Sequence, residues 1–228
     1  MKLALFDLDH TLLDGDSDVL WCDFLMDRGV LDRAAFASRN AAMARDYAAG
    51  TVSATAFSDF YVATLAGRTP QQWEPLRQAF LRDVVSPRIG AAARALVHSH
   101  QEAGALVVLT TATNRFITEL TAHDVGIDHL IATDCEVGPD GCFTGRTTGT
   151  LNMREGKVTR LHAWLALRGQ ALADFESWAC SDSSNDLPLL GAVQHAVAVH
   201  PDARLAAEAA RHGWPVLRLH GPMDTQRP

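Results

Sequence analysis

Two carboxylates stand two residues apart in Asp7-Leu8-Asp9-His10-Thr11, directly behind a short apolar segment, residues 2–6. A continuous apolar run reads as a strand buried on both faces, which belongs in a parallel sheet covered by helices. Such sheets bind ligands beyond the carboxyl ends of their strands, where Asp7 and Asp9 emerge. If the chain bends after Asp7, one carboxylate can attack while the other serves as acid and base. Taken alone, Asp-x-Asp is equally a turn or a helix cap.

Three further patches bear on that choice. Thr111 ends an apolar strand and opens onto Ala112-Thr113-Asn114, Lys157 follows Gly156 at the front of a helix, and Ser181-Asp182-Ser183-Ser184-Asn185-Asp186 follows another strand. Singly, each has an ordinary reading: Thr111 as a cap, Lys157 as a solvated side chain, residues 182–186 as turn and cap residues. Together they assemble a nucleophilic carboxylate, an acid partner, a hydroxyl, an ammonium and two more carboxylates. That inventory suits phosphoryl transfer with a divalent metal, because clustered aspartates repel a phosphate unless a hard cation such as Mg²⁺ intervenes. Asp7 would attack phosphorus to give an aspartyl phosphate. Asp9 would protonate the leaving alcohol and then deprotonate the attacking water. Thr111 would hydrogen-bond a phosphate oxygen, and Lys157 would neutralise charge on the phosphate and on Asp7.

The elements needed to bring these patches together follow from periodicity. After the first strand the pattern turns helical, with helices expected at residues 18–28, 34–49, 53–66 and 70–83, punctuated by Gly29, Gly50 and Pro70. Beyond Pro87 strands alternate with helices: strands at 105–111, 130–133, 177–181 and 196–199, helices at 90–103, from 114, 155–167 and 203–212, and a hairpin turn at 138–141. This is an α/β chain with a doubly wound parallel sheet and a small helical bundle inserted after the first strand. Residues 1–14 and 86–228 are expected to form the sheet domain and residues 15–85 the helical one.

With 228 residues, 47% hydrophobic and 21% charged, the chain fits one core plus a smaller insert. A net charge of -7 argues against nucleic acid as a partner, so an anionic substrate must meet local positive charge. Cys22, Cys135, Cys142 and Cys180 form no CxxC pair and read as reduced thiols. Met1 leads at once into the first strand, leaving no room for a signal peptide, and no apolar run reaches the ~18 residues of a membrane span. A cytoplasmic protein, monomer or homodimer, with no membrane partner, is expected.

The order Asp7-x-Asp9-x-Thr11, Thr111, Lys157 and Asp182-x-x-x-Asp186 resembles the haloacid dehalogenase (HAD) superfamily of aspartate-nucleophile phosphatases. Residues 15–85 resemble its C1 cap, and the cap with residues 181–186 is most similar to the phosphoserine phosphatase-like subfamily, IB. The resemblance covers essentially the whole chain. It implies a HAD-like Rossmannoid core and a Mg²⁺-dependent phosphomonoesterase acting on a small phosphate ester. Asp7 would be nucleophile and metal ligand, Asp9 the acid/base with its backbone carbonyl on the metal, and Asp182 the third protein ligand. Asp186 would support the metal shell, and Asn185 would lie near the phosphate. In phosphoserine phosphatases an acidic residue after the first motif binds the substrate's amino group, a region occupied here by Asp16 and Asp18. The position aligned with the same family's cap arginine is acidic, Asp59. That departure disfavours phosphoserine and favours an amine-bearing phosphate without a carboxylate, such as histidinol phosphate. Arg45 and Arg115 are spare cations that could supplement substrate binding.

Four alternatives share parts of this inventory. A phosphotransferase or mutase would return the phosphoryl group to a sugar hydroxyl. A dehalogenase proper needs neither Asp9 nor Mg²⁺. A receiver domain uses similar groups in a different order and lacks the helical insert. A phosphate-binding protein without activity could be built on the same fold.

Overall fold

The computed structural model describes residues 1–48 and 51–220. The stop expected at Gly50 and the polar tail after His220 lie outside the described residues. Seven strands form one sheet in the order β4-β3-β2-β1-β5-β6-β7: β1 (Lys2–Phe6), β2 (Ala105–Asn114), β3 (His129–Val137), β4 (Phe143–Thr148), β5 (Glu176–Ser181), β6 (His195–Val199) and β7 (Val216–Leu217). All neighbouring pairs are parallel except β3 and β4, which form an antiparallel pair around the expected turn. β1 lies between β2 and β5, pairing Phe6 with Leu109 and with Cys180. Its apolar run is thereby explained, since Leu3, Ala4, Leu5 and Phe6 are all buried.

Between β1 and β2 run α1 (Ser17–Asp27), α2 (Arg33–Ala48), α3 (Ala54–Val62), α4 (Pro70–Phe80) and α5 (Ala91–Glu102). The remaining helices are α6 (Arg115–Asp124), α7 (Glu155–Ala166), the single turn α8 (Leu187–Leu190) and α9 (Ala203–His212). Two of the expected helices end differently. The helix expected over residues 53–66 stops at Val62 and tightens into a 3-10 turn, Ala63–Leu65, just before Gly67 at φ 75°. That expected over residues 70–83 gives way after Phe80 to a wide π turn, Leu81–Val85. Pro87 follows, so the chain must leave the helix there.

The inner part of the helical insert does not have a core of its own. Trp21, Phe24, Leu65, Trp73 and Phe80 pack in the same buried cluster as Phe6, Leu8, Val107 and Leu109 of the sheet. A smaller outer cluster gathers Cys22, Phe36, Phe60 and Tyr61. The opposite face of the sheet is covered by Leu161, Leu165, Leu189, Leu205 and Ala209. All four cysteines are free, and Cys135 and Cys142 are not bridged across the hairpin. Among the described residues no helix is long and apolar enough to cross a membrane.

Candidate active site

β1 ends at Phe6, and the chain turns at once. The amide of Asp7 still donates to Cys180 O at 3.0 Å, but Leu8 O then accepts from the amides of Thr11, Leu12 and Leu13 at 3.2, 3.0 and 2.9 Å. His10 sits at φ 55° inside this turn, and fully buried Leu8, Leu12 and Leu13 pin it to the core. The bend sends Asp7 and Asp9 into the same cleft from different angles. Asp9 is clamped on both oxygens, Oδ1 accepting from the Ser17 amide at 2.7 Å and Oδ2 from the Thr113 hydroxyl at 2.8 Å.

Lys157 lies in the first turn of α7 with only 2% exposure, and its Nζ donates to Asp7 Oδ1 at 2.7 Å and to Asp186 Oδ2 at 2.6 Å. A lysine at a helix front is usually solvated; this one is carried inward by a close chain passage. A Cβ at Gly156 would lie 2.0 Å from Leu151 O, so no other residue fits there. The preceding loop is anchored by Asn152, whose side-chain Nδ2 lies 3.0, 2.9 and 2.9 Å from Thr110 Oγ1, Thr111 O and Ile131 O, three acceptors that share its two N–H donors. Ser181 also donates to Asp186 Oδ2, at 2.7 Å, so Asp186 is a brace between α7 and the end of β5.

Thr11 joins the first and last patches. Its hydroxyl accepts from the Asp182 amide at 3.0 Å and lies 3.3 Å from Asp7 Oδ2 and 3.2 Å from Asp182 Oδ1. One hydroxyl hydrogen cannot serve both carboxylates at once. Burial pushes Asp7 up to about 7, against the pull of Lys157 and with the charges of Asp186 and Asp9 adding to it. Burial and then the charge of Asp7 push Asp182 up to about 8. Burial raises Asp9 to about 6, with Asp16 adding and the Ser17 and Thr113 hydrogen bonds opposing. Burial also works against the Lys157 charge, but Asp186 and Asp7 outweigh it and hold the ammonium above its usual value.

This is a set of buried carboxylates with more negative charge than Lys157 can balance. Among the described residues no three His, Cys, Asp or Glu side chains are already gathered as a complete metal cage. Asp7 and Asp182, linked through one hydroxyl, nevertheless fit a hard divalent cation that takes few protein oxygens and completes its shell with water and substrate.

The cleft has a volume of about 250 Å³ and is lined by Asp7, Asp9, His10, Asp16, Asp18, Phe57, Ser58, Ala112, Thr113, Met153, Lys157, Asp182, Ser183, Asn185 and Asp186. Asp16 caps α1, its side chain accepting from the Val19 amide at 2.9 Å, and Asp18 accepts from Asn114 Nδ2 at 3.4 Å. Burial, followed by the charges of Asp16 and Asp9, pushes Asp18 well above the usual carboxylate range. Asn185 is exposed at the rim, accepting from Arg154 Nε at 3.2 Å.

Two expected substrate cations are not part of this cleft. Arg45 is exposed on α2 and does not line it. Arg115 is also outside the lining, with its Nε committed to Asp134 Oδ1 at 2.7 Å and its Nη1 to Leu130 O at 3.3 Å. Thr111 is fully buried behind the wall, its hydroxyl accepting from the Thr113 amide at 3.2 Å and lying 3.5 Å from Asp9 Oδ2. The ladder between β2 and β3 shifts register between Thr111 and Asn114, so Ala112 and Thr113 bulge out and line the cleft. Thr113, Thr11 and Asn152 were not assigned roles from the sequence. For Thr11, its place in Asp7-x-Asp9-x-Thr11 was the available signal.

Comparison with known proteins agrees with the geometry. Residues 4–191 match the description of the haloacid dehalogenase-like hydrolases. A curated relative from Neisseria meningitidis serogroup C, named histidinol-phosphatase, is 42% identical over 219 residues, covering 96% of this chain and 99% of its own. One from Mycobacterium tuberculosis, named phosphoserine phosphatase, is 32% identical over 228 residues, covering 93% of this chain and 69% of its own. A crystal structure of a Bordetella pertussis protein of unknown function superposes with a TM-score of 0.92 at 44% identity, covering 96% of this chain and 99% of that one.

Proposed function

The chain belongs to the haloacid dehalogenase-like hydrolase family and is a phosphatase; from that premise we propose that it is a Mg²⁺-dependent phosphomonoesterase for a small amine-bearing phosphate, with histidinol phosphate the best candidate. The observation that carries this reading is the double grip of buried Lys157 on Asp7 and Asp186 at 2.7 and 2.6 Å. It orients one oxygen of Asp7 and leaves Oδ2, held only by the 3.3 Å Thr11 contact, the freer to attack.

Asp7 Oδ2 forms a bond to phosphorus as the ester P–O bond breaks, giving the aspartyl phosphate and a leaving alcohol. Asp9, raised to about 6 by burial, supplies the proton to that alcohol oxygen. Water then attacks phosphorus, gives its proton to Asp9, and releases inorganic phosphate with Asp7 restored. Lys157 offsets the negative charge that gathers beside Asp7. Asp7 and Asp182 side chains and the Asp9 backbone carbonyl would hold Mg²⁺, with Asp186 behind them. The ion would neutralise phosphate oxygens and polarise phosphorus. Residues 15–85 act as the cap, excluding water during attack by Asp7.

The substrate class follows from the walls. Asp16 and Asp18 line the side contributed by the insert together with Phe57, and Lys157, already held by two carboxylates, is the one Lys or Arg among the lining residues. Such a wall favours a cationic, partly apolar group and offers a substrate carboxylate no uncommitted Lys or Arg. The name of the Neisseria relative points the same way. The test is phosphate release from a panel including histidinol phosphate, phosphoserine and p-nitrophenyl phosphate, with Mg²⁺ and with EDTA. Mg²⁺-dependent release with histidinol phosphate preferred is expected. Preference for phosphoserine would overturn the substrate class, and full activity in EDTA would overturn the metal.

A further inference from the structure

β4 is an edge strand, and an edge strand leaves a row of backbone groups without partners in the sheet. Here the helical insert takes up those of Phe143 and the amide of Thr147. Phe143 donates its amide to Arg68 O and accepts from the Gly67 amide, both at 3.0 Å. At Gly145, φ 84°, a Cβ would lie 3.0 Å from Ala66 Cβ and 3.2 Å from Ala63 Cα, so the strand and the 3-10 turn that follows α3 are in close contact. At Thr147 both the amide and the hydroxyl donate to the same atom, Asp59 Oδ1, each at 2.7 Å. Asp59 thus occupies the position aligned with a substrate-binding arginine but faces the sheet edge and is absent from the cleft lining.

Its neighbours in α3 do line the cleft: Phe57 two residues before it and Ser58 one residue before it. α3 is only nine residues long, too short to hold its position by local hydrogen bonding. Two hydrogen bonds to a carboxylate are among the stronger polar contacts available to fix it. We propose that the clasp between Asp59 and Thr147 is a positioning contact for substrate selectivity, seating the Phe57 and Ser58 wall against the sheet edge without touching the substrate. The proposal rests on the reading that the organic part of the substrate lies against that wall.

The test compares Asp59→Ala, Asp59→Asn and Thr147→Val on histidinol phosphate and p-nitrophenyl phosphate with Mg²⁺. Asp59→Ala should raise KM for histidinol phosphate roughly 10-fold, the scale of losing hydrogen bonds to a charged group. Its kcat on the small, unselective p-nitrophenyl ester should stay within about twofold, because the phosphoryl-transfer groups lie elsewhere. Asp59→Asn keeps an acceptor oxygen and should restore near wild-type KM; Thr147→Val, which keeps the backbone amide, should fall between. Equal losses on both esters, no loss on either, or an Asn variant as impaired as Ala would each overturn the proposal. Thr147→Val carries the test if Asp59→Ala does not fold. If the wild-type protein does not turn over histidinol phosphate, the substrate reading has failed, and amide hydrogen exchange decides the clasp separately. Faster exchange in α3 and β4 for Asp59→Ala than for Asp59→Asn supports it, and equal exchange overturns it.

Discussion

The floor and the wall of the cleft are built by different means. On the floor, Asp7, Lys157 and Asp186 are nearly inaccessible and joined by hydrogen bonds of 2.6 and 2.7 Å that cross from β1 to α7 and to the turn after β5. On the wall from the insert, Asp16, Asp18 and Phe57 are half-buried, and Asp18 is held by a long 3.4 Å contact with Asn114 and by the Thr113 side chain. A rigid, pre-ordered floor suits a step common to every phosphate ester, since groups already in place cost no reorganisation at the transition state. A looser wall suits selection among the rest of the molecule. The clasp at Asp59 is where that wall borrows rigidity from the sheet.

The sharpest way to break the floor is Asp7→Asn, expected to cut turnover on the order of 10³-fold or more with folding retained, because the attacking oxygen is replaced while the shape is kept. Retention of more than a few per cent of activity with every ester would remove Asp7 as the nucleophile. Lys157→Ala should cost about 10²-fold in kcat and also lower the melting temperature, since it strands two buried carboxylates. A variant with wild-type stability would mean that the pairing does not hold in solution. Asp18→Asn probes the wall: KM for histidinol phosphate should rise about 10-fold, with p-nitrophenyl phosphate unaffected. A matched rise for both esters would assign Asp18 to the floor.

The floor should also show itself in stability. Asp7 and Asp182 are raised in the folded protein to about 7 and about 8, above the ~4 of an unfolded chain. The folded state therefore binds more protons than the unfolded state across that window, and metal-free stability falls as pH rises from about 4 toward 8. Saturating Mg²⁺ should recover it, raising the melting temperature by more at pH 8 than at pH 5. A metal effect equal at both pH values would contradict this origin of the strain. The smallest expected effect is Arg45→Ala, within about twofold on all esters, because its side chain is exposed and outside the cleft. A marked rise in KM would return it to the substrate wall.

Legibility followed the same division. Residues 2–6 read as a doubly buried strand because a central parallel strand must be apolar on both faces, and that is where β1 lies. Three of the four chemical patches could be found because strand ends are marked by an abrupt change from apolar to polar residues; Lys157 was marked instead by its place at a helix front. Ala112 and Thr113 could not be placed, since a bulge depends on how β2 and β3 register, which neither strand encodes alone. Arg115 looked as available as any surface cation until Asp134, 19 positions away in sequence, claimed it. The helix expected over residues 53–66 showed no break by periodicity, because Leu65 is fully buried in helical phase with its neighbours; the early stop at Val62 accompanies the close packing against Gly145.

Local chemistry and periodicity were therefore enough to announce the α/β alternation, the inserted helices and the residue types of the proposed reaction, since each is written in a short window of chain. Which carboxylate Lys157 would grip, that Thr11 would join Asp7 to Asp182, and that Asp59 would serve the sheet edge rather than the substrate depended on partners 150, 171 and 88 positions apart. Those pairings exist only after the strands have taken their order, because a side chain's role at that range is set by what the sheet brings within hydrogen-bonding distance.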